Sequence, residues 1–330
     1  MDAHPRIPKA VLDPPFHVVR LNHAALTVTD IPRAKAFWAD TLGLQVTDET
    51  PTRLTLRAME ERGHHCIVLQ KGDAPVANVL GFKVFSEDDL DRAERFFKAK
   101  GLPAKFVEAP FQGRTLRTTD PLGVPLEFYF TMEKLPSVHQ KYALYKGVKP
   151  LRIDHFNCFS DDVDASVAFY NSIGFRTTEY TQNEDGTRLW AAWMHRKGGV
   201  HDMAFTHGMG PRLHHVAFWV PTPLNIIDLL DLMATTGYVA NIERGPGRHG
   251  ISNAFFLYIR DPDGHRIEIY CSDYQTIDPD HEPIRWDLRD TQRQTLWGAP
   301  APKSWFEEGT LFEGPPVREP SYQASPIIAA

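Results

Sequence analysis

Alternating apolar and polar positions predict strands that begin near residues 18, 78, 151 and 211. Each of these strands precedes a stretch with helical spacing, and three such stretches open on a helix-capping residue: Asp30, Ser86 and Thr222. Short alternating stretches follow each helix and are separated by turn sequences, among them 120-DPLG-123 and 261-DPDG-264. The pattern predicts a unit of one strand, one helix and three strands that occurs four times.

Internal sequence similarity supports these four units. Three stretches of the first half match three of the second: 20-RLNHAALTVTD-30 with 152-RIDHFNCFSDD-162, 80-LGFKVFS-86 with 213-LHHVAFW-219, and 119-TDPLGVPLEFYF-130 with 260-RDPDGHRIEIYC-271. The matches place three pairs of residues at equivalent positions: His23 with His155, Phe82 with His215, and Glu127 with Glu268. Because one unit cannot bury both its sheet and its helix, we expect two units to pack side by side around a shared cavity.

The predicted fold class is α+β, with four tandem βαβββ units paired into two domains, each a curled mixed sheet around a cavity. We expect four regions: an N-terminal arm over 1–17, an N-terminal domain over 18–147, a C-terminal domain over 148–285, and a lid and tail over 286–330. The tail is rich in Pro, Ser and Gly and has no period. Its first part is expected to cover the mouth of the cavity, whereas the last twenty residues either contact another subunit or are disordered.

The composition is that of a globular protein, with 330 residues of which 42% are apolar and 24% charged. A net charge of -6 and a pI near 6.2 argue against nucleic acid or an anionic membrane as partner, so a small molecule is expected. No apolar run approaches the roughly 18 residues of a membrane helix, and we expect a cytoplasmic protein. The cysteines, Cys66, Cys158 and Cys271, form no C-x-x-C pair and are expected to be reduced thiols.

Two histidines, His214 and His215, stand side by side at the start of an apolar strand. Successive side chains on a strand point to opposite faces, so only one of the two is expected to face the cavity. Aligning the third unit with the fourth places His155 on His215 and therefore selects the second histidine. With Glu268, these residues would give two imidazoles and one carboxylate, a set that suits non-haem Fe(II) or Mn(II) and leaves positions open for substrate and dioxygen.

The N-terminal domain keeps His23 and Glu127 at matching places but has Phe82 where this alignment puts His215. Phenylalanine cannot bind a metal, so we expect only the C-terminal cavity to hold one. His23 and Glu127 are expected to remain as a hydrogen-bonded pair inside the sheet.

The segments 151-LRIDHFN-157, 213-LHHVAF-218 and 264-GHRIEIY-270 resemble the metal-binding segments of the type I extradiol ring-cleaving dioxygenases, in the vicinal oxygen chelate superfamily. The resemblance extends from about residue 16 to 306 and is strongest over 150–305. It implies cleavage of a catechol by O2 to a 2-hydroxymuconic semialdehyde, with 3,4-dihydroxyphenylacetate as the expected substrate. It further implies one Fe(II) per chain, with Mn(II) as the alternative, and a homotetramer.

The resemblance also implies roles for residues around the metal. His201, predicted on a strand and aligned with His65, would be the acid/base group beside the dioxygen site, a task that suits an imidazole. Tyr258 would donate a hydrogen bond to a substrate oxygen, with a plain core aromatic as the alternative. His249, in the flexible, glycine-bounded loop 245-GPGRHG-250, would be a second partner of the substrate oxygens.

Two further residues are expected near the substrate. Asn157 lies two residues beyond His155, hence on the same strand face, and its amide could reach an oxygen-derived ligand. Trp193 would pack on the aromatic ring of the substrate or, alternatively, belong to the core.

A carboxylate-bearing catechol needs a cationic anchor away from the metal, and the planar fork of arginine suits a carboxylate. The resemblance implies Arg244 and Arg293 as these anchors, with Trp305 at the lid; a pair of surface arginines is the alternative. Gln294 stands where a second arginine is expected to follow Arg293, which weakens the assignment of the substrate side chain.

Three other functions remain open on the sequence. A metal-dependent isomerase, lyase or thiol transferase could use the same three ligands, but would leave His201, His249 and Tyr258 unexplained as a group. A non-catalytic binder of a small aromatic molecule would have no use for an open metal site. An extradiol enzyme for catechols without a carboxylate stays open because of Gln294.

Overall fold

A computed structural model describes residues 7–322 and contains two mixed sheets, one in each half of the chain. The strands of the N-terminal half are β1 (Val18–Val28), β2 (Gln45–Thr50), β3 (Arg53–Arg57), β4 (Ile67–Lys71), β5 (Val76–Val84), β6 (Ala104–Val107), β7 (Thr115–Thr119) and β8 (Pro125–Tyr129). Its helices are α1 (Ile31–Lys35), continued by a π-helical turn over Ala36–Thr41, and α2 (Glu87–Ala99). The strand order β2-β3-β4-β1-β5-β8-β7-β6 joins the first two units through β1 and β5.

The C-terminal half repeats this arrangement. Its strands are β9 (Arg152–Ser160), β10 (Arg176–Gln182), β11 (Leu189–His195), β12 (Met203–His207), β13 (Arg212–Trp219), β14 (Ile242–Arg248), β15 (Phe255–Arg260) and β16 (Arg266–Cys271), with helices α3 (Val163–Ser172) and α4 (Pro223–Thr235). The elements that follow are β17 (Ile284–Trp286), β18 (Trp297–Gly298), α5 (Lys303–Glu307) and β19 (Thr310–Leu311). Short 3-10 turns cover Tyr142–Leu144, Val239–Asn241, Ile251–Asn253 and Thr291–Arg293. The predicted α+β fold of four βαβββ units is therefore confirmed.

The helices begin at the capping residues that the sequence indicated. The side chains of Asp30 and Ser86 accept hydrogen bonds of 2.8 and 3.2 Å from the backbone N–H three residues further on. Thr222 donates its backbone N–H to the side-chain oxygen of Asn225 at 3.1 Å. Each such cap contributes about 1 kcal/mol to stability, and together they fix where each unit turns from strand to helix.

The strand register corrects one of the sequence matches. In the first sheet Gly81 pairs with both His23 and Glu127. In the second sheet Ala217 pairs with both His155 and Glu268. Gly81 is therefore the equivalent of Ala217.

It follows that Val79, two residues before Gly81, occupies the position of His215. Phe82, which the sequence match had placed there, is buried in the core with its ring 5.7 Å from that of Phe128 and 6.2 Å from that of Phe156. The match failed because it paired Leu80 with Leu213 on residue type, whereas the strand pairing makes Ala77, three residues earlier, the equivalent of Leu213. The chemical conclusion is unchanged, since valine cannot bind a metal either.

The two halves exchange equivalent hydrogen bonds. Leu21 on β1 donates its backbone N–H to Asp202 at 2.9 Å, and Ile153, the equivalent residue on β9, donates to Glu61 at 3.3 Å. Asp202 and Glu61 are both buried and precede β12 and β4, respectively. Each half therefore satisfies a buried carboxylate of the other.

The described part of the tail packs on its own chain. Phe312 is buried, Arg318 forms a bidentate ion pair with Asp161, and the ring of Tyr322 stacks on His207 at 3.9 Å. The expectation of disorder is therefore wrong for residues 311–322. Residues 323–330, and residues 1–6 of the predicted arm, lie outside the described range.

Two expectations from composition concern thiols and membranes. Cys66, Cys158 and Cys271 are buried free thiols, as predicted. No helix within residues 7–322 has the length and apolar character needed to cross a membrane.

Candidate metal centre and active site

Three ligand atoms converge in the C-terminal half, on the residues that the sequence analysis had grouped. His155 on β9, His215 on β13 and Glu268 on β16 lie on adjacent strands and are all buried. The Nε2 atoms of the two histidines are 3.1 Å apart, and they lie 2.9 and 3.1 Å from Oε2 of Glu268. Three potential ligand atoms thus form a nearly equilateral triangle.

The dimensions of this triangle test whether it fits an ion. Ligand atoms about 2.1 Å from an ion are separated by about 3.0 Å when they subtend right angles, and by about 3.4 Å in a tetrahedral site. The observed edges of 2.9 to 3.1 Å match the first case. The three residues fit one face of an octahedral divalent ion.

The hydrogen bonds of His155 prepare its Nε2 for this task. Its Nδ1 lies 3.1 Å from Oδ2 of Asp154, a carboxylate that can only accept, so Nδ1 carries the proton and Nε2 is free. Asp154 also accepts from the hydroxyl of Tyr270 and lies 3.2 Å from Nζ of Lys197. Burial alone would raise the pKa of Asp154, but Lys197 and His155 hold it well below its usual range.

His201 lies in the turn between β11 and β12, not on a strand as predicted. The carboxylate of Asp202 closes this turn by accepting the backbone N–H groups of Arg196 and Lys197 at 2.6 and 3.0 Å. The His201 ring is buried with its centroid 3.8 Å from that of His155. Burial and His155 hold its pKa well below the usual value, so the ring is neutral near pH 7 and able to accept a proton.

His249 directly follows β14, so the flexible loop predicted around it is instead a strand that pairs with β15. Its Nδ1 contacts the backbone carbonyl of Gln294, which can only accept, so Nε2 holds the lone pair. Nε2 lies 3.1 Å from the hydroxyl of Tyr258, which therefore donates to it. Burial and Arg244 lower the pKa of His249 to about 3, and burial and Glu268 raise that of Tyr258. Both side chains are neutral near pH 7.

One cavity in the C-terminal half collects most of the predicted site. Ten of the eleven predicted site residues line it: His155, Asn157, Trp193, His201, His215, His249, Tyr258, Glu268, Arg293 and Trp305. Gln294 lines it as well. The sequence prediction and the geometry thus select the same place in the fold.

Arg244 is the predicted site residue that does not line this cavity. Its guanidinium lies over the rings of Phe256 and Trp305, at 4.8 and 4.9 Å. Nη2 donates to the carbonyl of Gln294 at 3.1 Å and to Thr295 at 2.8 Å. Arg244 is therefore buried behind the cavity wall, and burial lowers its pKa to about 10.

Arg293 stands in the cavity wall itself. Its guanidinium lies 5.0 Å over the ring of Trp190, and its Nε donates to the carbonyl of Leu288 at 3.2 Å. Only 2% of the residue is exposed, and burial lowers its pKa to about 10. The alternative of two surface arginines is wrong, because Arg244 and Arg293 are both buried.

Sequence reasoning missed several residues that support the site. Asp154 and Lys197 hold His155 from behind, Trp190 stacks on Arg293, and Thr206 donates to the side-chain oxygen of Asn157 at 3.3 Å. For Tyr270 a signal existed: it lies two residues beyond Glu268, the same spacing that led from His155 to Asn157. The others are joined by tertiary contacts that no spacing indicates.

A second cavity lies at the equivalent place in the N-terminal half and contains the predicted hydrogen-bonded pair. Nε2 of His23 lies 3.0 Å from Oε1 of Glu127. Glu127 also accepts from Gln112 and Arg117, at 2.8 Å each. Val79 stands at the third ligand position of this cavity.

Comparison with known proteins places this chain in a family. The family model of the Glyoxalase/Bleomycin resistance protein/Dioxygenase superfamily matches residues 20–128 and 152–269. A manganese-dependent 2,3-dihydroxybiphenyl 1,2-dioxygenase from Geobacillus genomosp. 3 is 30% identical over 302 residues, which cover 87% of this chain and 95% of that protein.

Two solved structures extend the likeness. Homoprotocatechuate 2,3-dioxygenase from Arthrobacter globiformis is 41% identical with a TM-score of 0.90, covering 94% of this chain and 98% of that one. The homoprotocatechuate 2,3-dioxygenase from Brevibacterium fuscum, in complex with 3,4-dihydroxyphenylacetate, is 42% identical with a TM-score of 0.89, covering 95% and 99%. The chain therefore belongs to the Glyoxalase/Bleomycin resistance protein/Dioxygenase superfamily and, within it, to the metal-dependent extradiol dioxygenases that cleave catechols with O2.

Proposed function

We propose that this enzyme cleaves 3,4-dihydroxyphenylacetate to a 2-hydroxymuconic semialdehyde, with one Fe(II) per chain and Mn(II) as the alternative. The observation that carries the proposal is the lining of one cavity, where the ligand triangle and the cationic Arg293 stand together. A metal would bind the two catechol oxygens, and an arginine would bind the carboxylate. The Brevibacterium fuscum relative, solved with 3,4-dihydroxyphenylacetate bound, supports this substrate.

In this proposal His155, His215 and Glu268 hold the ion. The bound ion would fix the catechol and O2 side by side and conduct electrons between them. Asp154 keeps the proton of His155 on Nδ1, so that Nε2 stays available.

His201 is the proposed acid/base group. Its buried, neutral imidazole can take a proton from a catechol hydroxyl and return it to an oxygen as the ring is cleaved. Nδ1 of His201 has no hydrogen-bond partner within residues 7–322, so no other described side chain competes for this proton.

Tyr258, His249 and Asn157 are proposed to bind oxygen atoms of the substrates. Without a substrate, the Tyr258 hydroxyl donates to Nε2 of His249. For Tyr258 to donate to a substrate oxygen, its hydroxyl must turn away from His249. Asn157 accepts from Thr206, which leaves its amide N–H groups to donate into the cavity.

Arg293 is the proposed partner of the carboxylate arm, since its guanidinium lies in the cavity wall on Trp190. Trp193 and Trp305 are proposed to enclose the aromatic ring. Arg244 is proposed to act from behind the wall, through the charge that it holds next to Tyr258 and Trp305.

The test compares two substrates in one variant. The iron-loaded enzyme is mixed in air with 3,4-dihydroxyphenylacetate or with catechol, and the yellow semialdehyde is followed by its absorbance. For Arg293→Leu we expect kcat/KM to fall about 10- to 150-fold with the carboxylate substrate, the equivalent of 1.5–3 kcal/mol for a hydrogen bond to a charged group, and to change little with catechol. Arg53→Leu, in the wall of the N-terminal cavity, is the matched control. Equal losses with both substrates would refute the role of Arg293.

A second candidate is an extradiol enzyme for catechols that lack a carboxylate. Gln294 favours it, because it puts a neutral side chain in the cavity wall beside Arg293. A wild-type enzyme that prefers catechol or 4-methylcatechol to 3,4-dihydroxyphenylacetate would establish this alternative.

Metal identity and assembly complete the proposal. Apoprotein reconstituted without air should regain activity with Fe(II) more than with Mn(II); the reverse order would make this enzyme manganese-dependent.

Light scattering tests the proposed homotetramer. Limited proteolysis tests the proposed boundary between 18–147 and 148–285, and cell fractionation tests a cytoplasmic location.

A further inference from the structure

His214 stands outside the ligand triangle, yet it contacts both a ligand and the lid helix, which we define as Lys303–Glu307. Its Nδ1 lies 2.6 Å from Nδ1 of His215, and its Nε2 lies 2.8 Å from the carbonyl oxygen of Trp305. The pairing of β13 with β9 shifts register between Leu213 and His215, and this bulge allows neighbouring rings to meet. The imidazole of His214 thus bridges a proposed metal ligand and the lid helix.

The chemistry of these contacts fixes the position of each proton. The carbonyl of Trp305 can only accept, so Nε2 of His214 carries a proton. The two Nδ1 atoms are too close for a proton on each, so one of them donates to the other. If His215 offers a bare Nε2 to an ion, its own proton is on Nδ1 and is donated to His214.

The lid helix is held by the same neighbourhood. Arg266 donates to the carbonyls of Ser304 and Glu308 at 3.1 and 2.9 Å, and to the carbonyl of His214 at 3.0 Å. The Trp305 ring packs edge-on against His214, with centroids 4.5 Å apart. Displacement of the lid helix would remove the acceptor of the Nε2 proton. His214 could then hold its proton on Nδ1 and donate it to His215, which would move the proton of His215 onto the atom that binds the metal.

We propose that His214 is a positioning residue that links docking of the lid helix to metal binding. Docking selects the form of His215 whose Nε2 can bind an ion, and the ion by reciprocity favours the docked lid helix. This inference rests on the proposed ligand set of His155, His215 and Glu268.

The experiment measures metal affinity and lid order separately from activity. Apoprotein is titrated with Mn²⁺, and the free ion is measured by electron paramagnetic resonance. Hydrogen exchange of residues 303–309 is followed by mass spectrometry with and without Mn²⁺. In the wild type we expect Mn²⁺ to slow exchange in this segment.

Three variants distinguish a hydrogen-bond relay, from the lid helix through His214 to His215, from a role of His214 in packing alone. His214→Leu should raise the Kd for Mn²⁺ about 10- to 100-fold, the usual cost of losing a partner of a metal ligand, and abolish the slowing of lid exchange. His214→Gln should keep most of the wild-type Mn²⁺ affinity and most of the slowing of lid exchange, since its amide can donate to one neighbour and accept from the other. His64→Leu, which removes a histidine whose Nδ1 lies 3.2 Å from that of His65 in the N-terminal half, should change neither.

The outcomes distinguish failure of the proposed ligand set from failure of the relay through His214. A wild type that binds no Mn²⁺ refutes the ligand set, and with it the proposed function. A wild type that binds Mn²⁺, together with a His214→Leu variant of equal affinity and equal lid protection, overturns the relay alone. A Gln variant as weak as the Leu variant also overturns it, because packing would then explain both.

A measurement on the unchanged chain covers the case in which the leucine variant does not fold. Nitrogen-15 spectra of the Zn²⁺-loaded wild type report which ring nitrogen of each histidine carries a proton. A proton on Nε2 and a bare Nδ1 at His214 support the proposal, whereas the reverse arrangement overturns it.

Discussion

The two cavities of this enzyme are built from the same units, but they use their glutamates differently. Oε2 of Glu268 faces the imidazoles of His155 and His215. Both oxygens of Glu127 are occupied, one by His23 and Gln112 and the other by Arg117. A buried carboxylate needs a cationic or hydrogen-bonding partner. The N-terminal cavity therefore lacks more than a third ligand, since protein donors already balance its carboxylate.

The residue that faces His23 in one cavity differs from the residue that faces His155 in the other. A Cβ at Gly81 would lie only 2.1 Å from Cε1 of His23, so the ring of His23 rests in space that glycine leaves open. Ala217, with its Cβ, faces His155 at the equivalent position. The Cβ of Ala217 thus excludes from the C-terminal cavity the ring position that Gly81 allows in the N-terminal one.

The most severe test makes the C-terminal cavity resemble its partner. His215→Val leaves two ligands, which hold a divalent ion weakly, so we expect loss of bound metal and of ring cleavage. Metal analysis and semialdehyde absorbance measure both. His23→Ala, which removes the equivalent of His155 from the other cavity, should leave both intact. A His215→Val protein with a full complement of metal would contradict the ligand assignment.

A smaller effect is expected at the acid/base position. His201→Asn should lower kcat by about 10²- to 10⁴-fold, the usual contribution of a general acid or base, with metal content unchanged. His65 holds the equivalent place in the N-terminal half, and its ring centroid lies 5.2 Å from that of His23. The control variant His65→Asn should leave kcat unchanged. Equal effects of the two variants would show that His201 acts through stability alone.

The hydrogen-bonded pair of His23 and Glu127 should make the free energy of unfolding depend on pH in the acid range. Burial raises the pKa of Glu127, but hydrogen bonds from His23, Arg117 and Gln112 outweigh it and lower the pKa from 4.5 to about 2. The unfolded chain therefore binds more protons between these values, and stability is lost as the pH falls from 4.5 to 2. The wild type should lose about 3 kcal/mol more than Glu127→Gln over this range. Urea unfolding at several pH values measures the difference; parallel curves would contradict the depressed pKa.

The weakest expected effect comes from making the N-terminal cavity resemble its partner. Val79→His supplies the third ligand type, but Arg117 still holds the carboxylate. We expect a second ion to bind measurably only when Arg117→Ala is added, and about 100-fold more weakly than the first, because the neutral amide of Asn22, at 3.5 Å from Nδ1 of His23, replaces the carboxylate that orients His155. Titration with Mn²⁺ counts the ions. A tight second site in the single variant would show that the missing ligand alone separates the cavities.

The sequence was sufficient for the fold and for the ligand triangle, because strand periodicity and internal repeats are local signals. His155 and Glu268 were found through their matches to His23 and Glu127. The position of Val79 was not, because the match paired Leu80 with Leu213 on residue type, and only the strand pairing shows that Ala77 is the equivalent of Leu213.

Other errors share a physical cause, which is that tertiary contacts set the backbone. His201 is in a turn because Asp202 closes it. The segment before His249 is a strand because β15 pairs with it, despite its glycines. Arg244 carries a surface-type charge but lies buried against aromatic rings. None of these partners is near in sequence, so spacing alone gives no indication of them.

The reciprocal bonds from Leu21 to Asp202 and from Ile153 to Glu61 have a consequence for the history of such a chain. Asp202 closes the turn that carries His201, so a backbone atom of the N-terminal half helps to position the proposed acid/base group. A duplicated copy without a third metal ligand would ordinarily be free to decay or be deleted. Here the two copies satisfy each other's buried carboxylates, so neither can be inherited alone.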